Sequence, residues 1–193
     1  ETDLSIFLYF AQKKRTPIIA ITGSKGKSST ASSIYYGLQK SGFTAFLGGN
    51  ITVSPLTFLE KIDGTTPVVL ELSSWQLRDL RGRNVLKPKI AIITKIVPDH
   101  QNFYGSMDSY VEDKRLIYRD QTADDYTLLD ADDDGYERES ENALSESSHS
   151  FTRWGDLFVS ETKAKVLRYS SSTLAQEVCG VFQKKEEKEI NGY

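Results

Sequence analysis

Residues 17–30 read PIIAITGSKGKSST, from Pro17 to Thr30. Ile18, Ile19, Ala20 and Ile21 form a short apolar run bounded by proline and glycine, the pattern of a buried strand. Gly23-Ser24-Lys25-Gly26 follows as a turn, and the segment from Lys27 onward has helix-forming composition. A strand, a glycine turn and a helix start together make a phosphate cradle. Glycines let backbone N–H groups approach an anion closely, and the helix N-terminus adds partial positive charge. In such a cradle Lys27 reaches terminal phosphates and the Ser28 hydroxyl can ligate Mg²⁺. The spacing is the shorter G-x-x-G-K-S, because Ile21 stands where G-x-x-x-x-G-K-[ST] has its first glycine.

The rest of the composition narrows the classes available. At 193 residues the chain suits one domain or a large piece of a longer protein. A chain of this size buries roughly 70% of its unfolded surface and needs no covalent staples. The single cysteine, Cys179, excludes a disulfide framework and a cysteine zinc site, and fits a reducing cytosol. A net charge of −3 gives no basic nucleic-acid footprint. No apolar run nears the roughly 20 residues that span a bilayer. Glu1 opens what reads as a helix, so an excised piece of a longer protein is expected.

Along the chain, Leu4, Phe7, Leu8 and Ala11 share one helical face behind a Thr2 or Asp3 cap. After the phosphate turn, a helix runs to Lys40 and stops at Ser41-Gly42. Strands are expected at Thr44–Leu47, Val68–Leu72, Lys89–Val97 and Tyr126–Asp130, and helices at Pro55–Lys61 and Ser106–Tyr118. The acidic stretch from Asp130 to Glu141 reads as a solvated loop. Short strands at 150–154 and 156–160 suggest a hairpin about Gly155, Lys163–Tyr169 suggests a further strand, and Thr173–Phe182 has helical spacing. The tail from Lys184 to Tyr193 is charged and expected to be disordered. Strands alternating with helices predict an α/β fold, a doubly wound and mostly parallel sheet, with a small antiparallel β element near the C-terminus.

In such sheets ligands bind beyond the carboxyl ends of the strands. The first four strands end in the phosphate turn, in Gly48-Gly49-Asn50, in Glu71-Leu72-Ser73-Ser74, and in Pro98-Asp99-His100. Parallel strands bring all four sets to one edge. Glu71 stands out, because a carboxylate within VVLEL is costly to bury unless it is paired or bound to a metal. An edge strand with Glu71 facing water is the alternative. His100 reads either as a metal or phosphate ligand or as a structural hydrogen-bonder. Asn50 binds a substrate or merely turns the chain. Trp75 reads as a core or interface residue, and His149, in a Ser-rich loop, has no evident partner. No Ser-His-Asp or Cys-His order suggests a covalent nucleophile.

With these motifs assembled, the chain resembles the central ATP-binding domain of the Mur ligase family. Four segments carry the resemblance: Thr22-Gly23-Ser24-Lys25-Gly26-Lys27-Ser28, Gly49-Asn50-Ile51, Glu71-Leu72-Ser73-Ser74-Trp75-Gln76-Leu77, and Pro98-Asp99-His100 with Lys114 downstream. The third is most similar to the members that add D-glutamate. The match is good from Leu4 to about Tyr118 and looser beyond.

The resemblance implies roles for individual residues. Gly23, Ser24, Lys25, Gly26, Lys27, Ser28 and Ser29 would hold ATP, with Lys27 on its β- and γ-phosphates. Ser28 and Glu71 would bind one Mg²⁺, and His100 would help bind a second. Lys114 matches the family lysine that is carbamylated into a carboxylate-like metal ligand, although from its own context it is an ordinary helix lysine. Lys27, His100 and Lys114 would be the catalytic set, and Asn50, Ser73 and Gln76 would contact the substrate. Implied partners are ATP, UDP-N-acetylmuramoyl-L-alanine, D-glutamate, and N- and C-terminal domains of the same protein, in the cytoplasm. The departures are Lys25 for the usual Asn, Thr52 for Gly, and Asn102 and Phe103 for Asp and Arg.

The competing classes are a folylpolyglutamate-synthase-like ligase, a phosphate-loop kinase, and a nucleotide-binding module without chemistry. Glu71–Leu77 speaks against the first.

Overall fold

The structure is a computed structural model that describes residues 1–51, 53–133, 136–138 and 150–183. In chain order its elements are α1 (Asp3–Lys13), β1 (Ile18–Thr22), α2 (Lys27–Lys40), β2 (Phe46–Gly49), a 3₁₀ turn (Pro55–Lys61), β3 (Val68–Glu71), α3 (Ser74–Asp79), β4 (Ile90–Ile93), α4 (Gln101–Tyr104) and α5 (Met107–Lys114). A 3₁₀ turn (Arg115–Ile117), β5 (Tyr126–Asp130), β6 (Tyr136–Arg138), β7 (Ser150–Thr152), α6 (Trp154–Glu161), β8 (Lys165–Ser170) and β9 (Gly180–Phe182) complete it.

Seven of these strands form one sheet in the order β2-β3-β1-β4-β5-β8-β9. Every neighbouring pair is parallel. The chain starts in the middle of the sheet and winds out to both sides, which is the expected α/β doubly wound topology. Ile21 lies level with Glu71 and Thr22 with Ile93, so the carboxyl ends of β1, β3 and β4 share one edge. Because β3 lies between β2 and β1, Glu71 is not on an edge strand.

Period-2 alternation divides β1 between two cores. Ile18 and Ala20 face a large cluster with Leu4, Phe7 and Leu8 of α1, Leu77 of α3, Tyr110 and Val111 of α5, and Phe158 of α6. Ile19 and Ile21 face the other side, where Ala31, Ile34 and Leu38 of α2 cover Val69 and Ile92. One face of the sheet is thus covered by several helices and the other chiefly by α2. No helix among the described residues is long and apolar enough to cross a membrane.

The C-terminal third differs from expectation. No hairpin forms about Gly155, because Trp154 and Phe158, four residues apart, are both buried on one face of α6. The Asp133 carboxylate accepts the Gly155 N–H at the start of that helix, a cap supplied from outside the local sequence. The antiparallel pairing present joins β6 to β7 instead, and β8 joins the main parallel sheet beside β5. Thr173–Phe182 is not helical. β9 pairs with β8, with Gly180 opposite Arg168, and a Cβ at Gly180 would collide with the Arg168 carbonyl. Thr52, His149 and the tail 184–193 lie outside the described residues.

Candidate active site

The phosphate turn leaves β1 at Thr22 and enters α2 at Lys27. Gly23 has φ +144° and Gly26 has φ +86°, backbone conformations that favour glycine. A Cβ on Gly23 would overlap Thr94 Oγ1. That hydroxyl lies within hydrogen-bond distance of two carbonyls that share its one proton, Lys25 at 2.7 Å and Thr22 at 3.1 Å, so residues just past β4 hold the turn from inside. Ser24 Oγ donates to the Val97 carbonyl at 2.9 Å and accepts the Val97 N–H at 3.1 Å. No side chain caps α2 at Gly26. The first N–H groups of a helix have no intrahelical acceptor, so they remain for an anion.

Of the expected residues, Lys27, Ser28 and Ser29 open α2 directly after this turn, and Lys114 reaches it from α5. Lys27 is half-buried, and its ammonium donates back to the Ser24 carbonyl at 3.1 Å. Ser28 and Ser29 are exposed on the first turn of α2. Lys114 sits at the end of α5 and is only 1% exposed. Its Nζ donates to the Gly23 carbonyl at 2.9 Å and lies 4.5 Å from the centroid of the Tyr110 ring. Burial, with the nearby Lys27 charge adding to it, lowers the Lys114 pKa to about 7. Neighbouring Asp99 and Asp113 oppose the shift.

Glu71, at the end of β3, is 2% exposed. Its Oε1 accepts the Asn50 side-chain amide at 3.0 Å, and its carbonyl accepts the Asn50 N–H at 2.8 Å. The backbone of Gly49, at φ +99°, packs so closely on Glu71 that no Cβ would fit. Glu71 Oε2 is buried without a hydrogen-bond partner. A buried carboxylate oxygen left unmatched is the feature a hard cation would complete. Among the described residues no three His, Cys, Asp or Glu side chains form a preformed cage. That fits Mg²⁺, which typically takes one or two protein donors and completes its shell with water and phosphate. Ser28 and Glu71 fit such a partial donor set.

His100 follows β4 in the left-handed conformation, φ +51°. Its ring lies 5.1 Å from the Trp75 ring and 6.2 Å from that of Tyr110. Trp75 is 48% exposed, so it forms part of an open aromatic wall rather than the core. Ser73 and Gln76 are engaged with each other in the capping box of α3: Ser73 Oγ accepts the Gln76 N–H at 3.2 Å, and Gln76 Oε1 accepts the Ser73 N–H at 3.1 Å. Their first task is to start α3, and the Gln76 amide nitrogen is the donor left over.

Two features escaped the sequence reading. Tyr110 donates from its hydroxyl to Ser24 Oγ at 3.1 Å, linking α5 to the turn. The Tyr110–Lys114 spacing of one helical turn was the available signal. The second is a cleft of about 970 Å³ beside the turn, on the α2 side of the sheet. Ile34, Ile92 and Leu128 line it together with the polar groups of Asp130, Asp132 and Ser170. It needs β5 and β8 side by side, which no local pattern reveals.

A parallel sheet with a glycine turn feeding an uncapped helix N-terminus, a buried carboxylate and two lysines at one edge has the architecture of the α/β domains that hold phosphate groups at a strand–helix turn. Residues 21–191 match the profile of the Mur ligase middle domain. The chain belongs to that family. It is 52% identical over 143 residues to the UDP-N-acetylmuramoylalanine–D-glutamate ligase of Treponema pallidum (strain Nichols), covering 69% of this chain and 26% of that protein. The protein of the same name from Borreliella afzelii (strain PKo) is 49% identical over 123 residues, covering 64% and 26%. The chain thus spans about a quarter of the length of these curated relatives. Among solved structures, the fold is similar to MurF from Acinetobacter baumannii, with TM-score 0.62, 18% identity and coverage of 88% of this chain and 35% of that one. It is also similar to the MurF ligase from Thermotoga maritima in complex with ADP, with TM-score 0.60, 20% identity and coverage of 90% and 38%.

Proposed function

We propose that this chain is the ATP-binding central domain of a cytoplasmic, Mg²⁺-dependent ligase that adds D-glutamate to UDP-N-acetylmuramoyl-L-alanine in peptidoglycan precursor synthesis. The observation that carries the reading is the buried, half-partnered Glu71 carboxylate at the strand edge that also bears the uncapped start of α2. The names of the relatives supply the amino acid and the acceptor.

In this reading Gly23, Ser24, Lys25, Gly26, Lys27, Ser28 and Ser29 hold the ATP phosphates. The N–H groups at the start of α2 face them, and Lys27 swings from the Ser24 carbonyl to the β- and γ-phosphates. Ser28 and Glu71 would hold one Mg²⁺ and His100 and Lys114 a second, and the metal would supply charge neutralisation during phosphoryl transfer. Lys114 serves there as its carbamate. An amine with a pKa near 7 is substantially neutral at physiological pH, as reaction with CO₂ requires, and the product replaces a buried cation beside Lys27 with an anion. Asn50, Ser73 and Gln76 orient the muramoyl-alanine. Its carboxylate attacks the γ-phosphate, releasing ADP and giving an acyl phosphate. The D-glutamate amine then displaces phosphate. Water must be kept from the acyl phosphate, a task for N- and C-terminal domains of the same protein, so this chain alone is nearly inactive as a ligase.

Calorimetric titration with ATP, with and without Mg²⁺, tests the site. Binding by the wild type should strengthen with Mg²⁺, and that gain should vanish in Glu71→Ala. An equal gain in both proteins would overturn the assignment. Ligation assays on the full-length gene product, offering D-glutamate against other amino acids, test the substrate, and turnover with another amino acid alone would refute it.

A further inference from the structure

At the opposite end of the sheet, beneath the amino ends of β1 and β4, lies a second cleft of about 230 Å³. Arg15, Thr16, Lys87 and Lys89 line it, with Asp125 as the acidic member of the lining. Lys89 is committed, donating to the Asp124 carbonyl and to the Asp125 carboxylate at 3.2 Å. Arg15 and Lys87 are exposed and form no ion pair among the described residues.

Arg15 is held there at a cost. Helix α1 ends in a Schellman pair: the Arg15 N–H donates to the Gln12 carbonyl at 3.0 Å and the Thr16 N–H to the Ala11 carbonyl at 2.9 Å. The residue after the cap in this motif is left-handed and is ordinarily glycine. Here it is arginine, at φ +59°. The next residue, Thr16, is 7% exposed, and its hydroxyl is buried without a hydrogen-bond partner. Two cationic side chains, Arg15 and Lys87, and the buried Thr16 hydroxyl, which has no hydrogen-bond partner among the described residues, line one small cleft. Two cationic side chains beside a hydroxyl donor suit a small anion rich in acceptor oxygens.

We infer that this cleft is an oxyanion site, separate from the phosphate turn, that takes inorganic phosphate or a phosphomonoester through Arg15, Lys87 and Thr16. The volume accommodates a single phosphate group. This inference does not depend on the proposed ligase activity.

Thermal unfolding with inorganic phosphate against chloride at matched ionic strength tests it, in the wild type, Arg15→Gly, Lys87→Ala and Lys27→Ala. Without phosphate, Arg15→Gly should melt about 2–4 °C higher than the wild type, because glycine relieves the left-handed backbone. With excess phosphate the wild type should gain a similar shift. Lys27→Ala should keep most of that gain, whereas Arg15→Gly and Lys87→Ala should lose most of it. A gain that disappears with Lys27→Ala, survives in Arg15→Gly and Lys87→Ala, or is reproduced by chloride overturns the site.

Discussion

The ammonium of Lys114 donates to the carbonyl of Gly23 at 2.9 Å, so the end of α5 is fastened to the first residue of the phosphate turn. The bond leaves a cation almost wholly buried next to Lys27, and the pKa of about 7 follows from that placement. The unfolded chain would hold the same proton up to about 10.5. Below pH 7 both states are protonated and the folded state carries the full cost of burial. Between about 7 and 10.5 the unfolded state binds a proton that the folded state has released, so this residue makes stability rise with pH, by at most about 1.4 kcal/mol per unit. Denaturant unfolding in CO₂-free buffer between pH 7 and 9 should show that slope in the wild type and a flatter one in Lys114→Met.

Asp133 produces the opposite trend in a more acidic window. Burial raises its pKa from 3.8 to about 6, helped by Asp130 and Asp156 and opposed by the Gly155 N–H and Arg168. Between those values the folded state holds a proton that the unfolded state has lost, so its contribution declines as pH rises from about 4 to 6. Asp133→Asn keeps an acceptor for Gly155 and should remove that decline in the same unfolding series.

Gly23→Ala should be among the most damaging single changes. The new methyl group would enter the space of Thr94 Oγ1, and the backbone at φ +144° resists any side chain. A loss of about 3 kcal/mol or more is expected in equilibrium unfolding, together with loss of ATP binding.

Glu71→Gln should separate stability from binding. The amide oxygen can still accept from Asn50, and a buried charge with one bare oxygen disappears. Apo stability should be unchanged or higher, whereas Mg²⁺-dependent ATP affinity should fall at least about tenfold, or 1.4 kcal/mol. Calorimetry and unfolding on the same preparations would check both.

Tyr110→Phe removes one hydrogen bond to Ser24, which keeps its two contacts to Val97. The expected cost is about 0.5–1.5 kcal/mol, measured by unfolding, with ATP binding retained.

Much of the fold was legible from local pattern. The apolar runs at Ile18–Ile21, Val68–Leu72 and Tyr126–Asp130 became strands of the central sheet, and the interleaved helices made it parallel. Motif order alone placed the ends of β1, β3 and β4 on one edge. The C-terminal third misled because its determinants are remote. The helix at Trp154 depends on a cap from Asp133 and a buried face against the core, and the strand at Gly180 depends on the free edge of β8.

Which segments before Asp130 are strands, where the phosphate turn lies and which residue types stand at the strand ends follow from spacing along the polypeptide, because hydrophobic periodicity and glycine stereochemistry act over a few residues. That Glu71 keeps one bare oxygen, that Lys114 is half-neutral near pH 7, and that Arg15 and Lys87 share a cleft were decided by packing. Desolvation and Coulomb interactions depend on distances through space between residues far apart in the chain, and only the assembled sheet sets those distances.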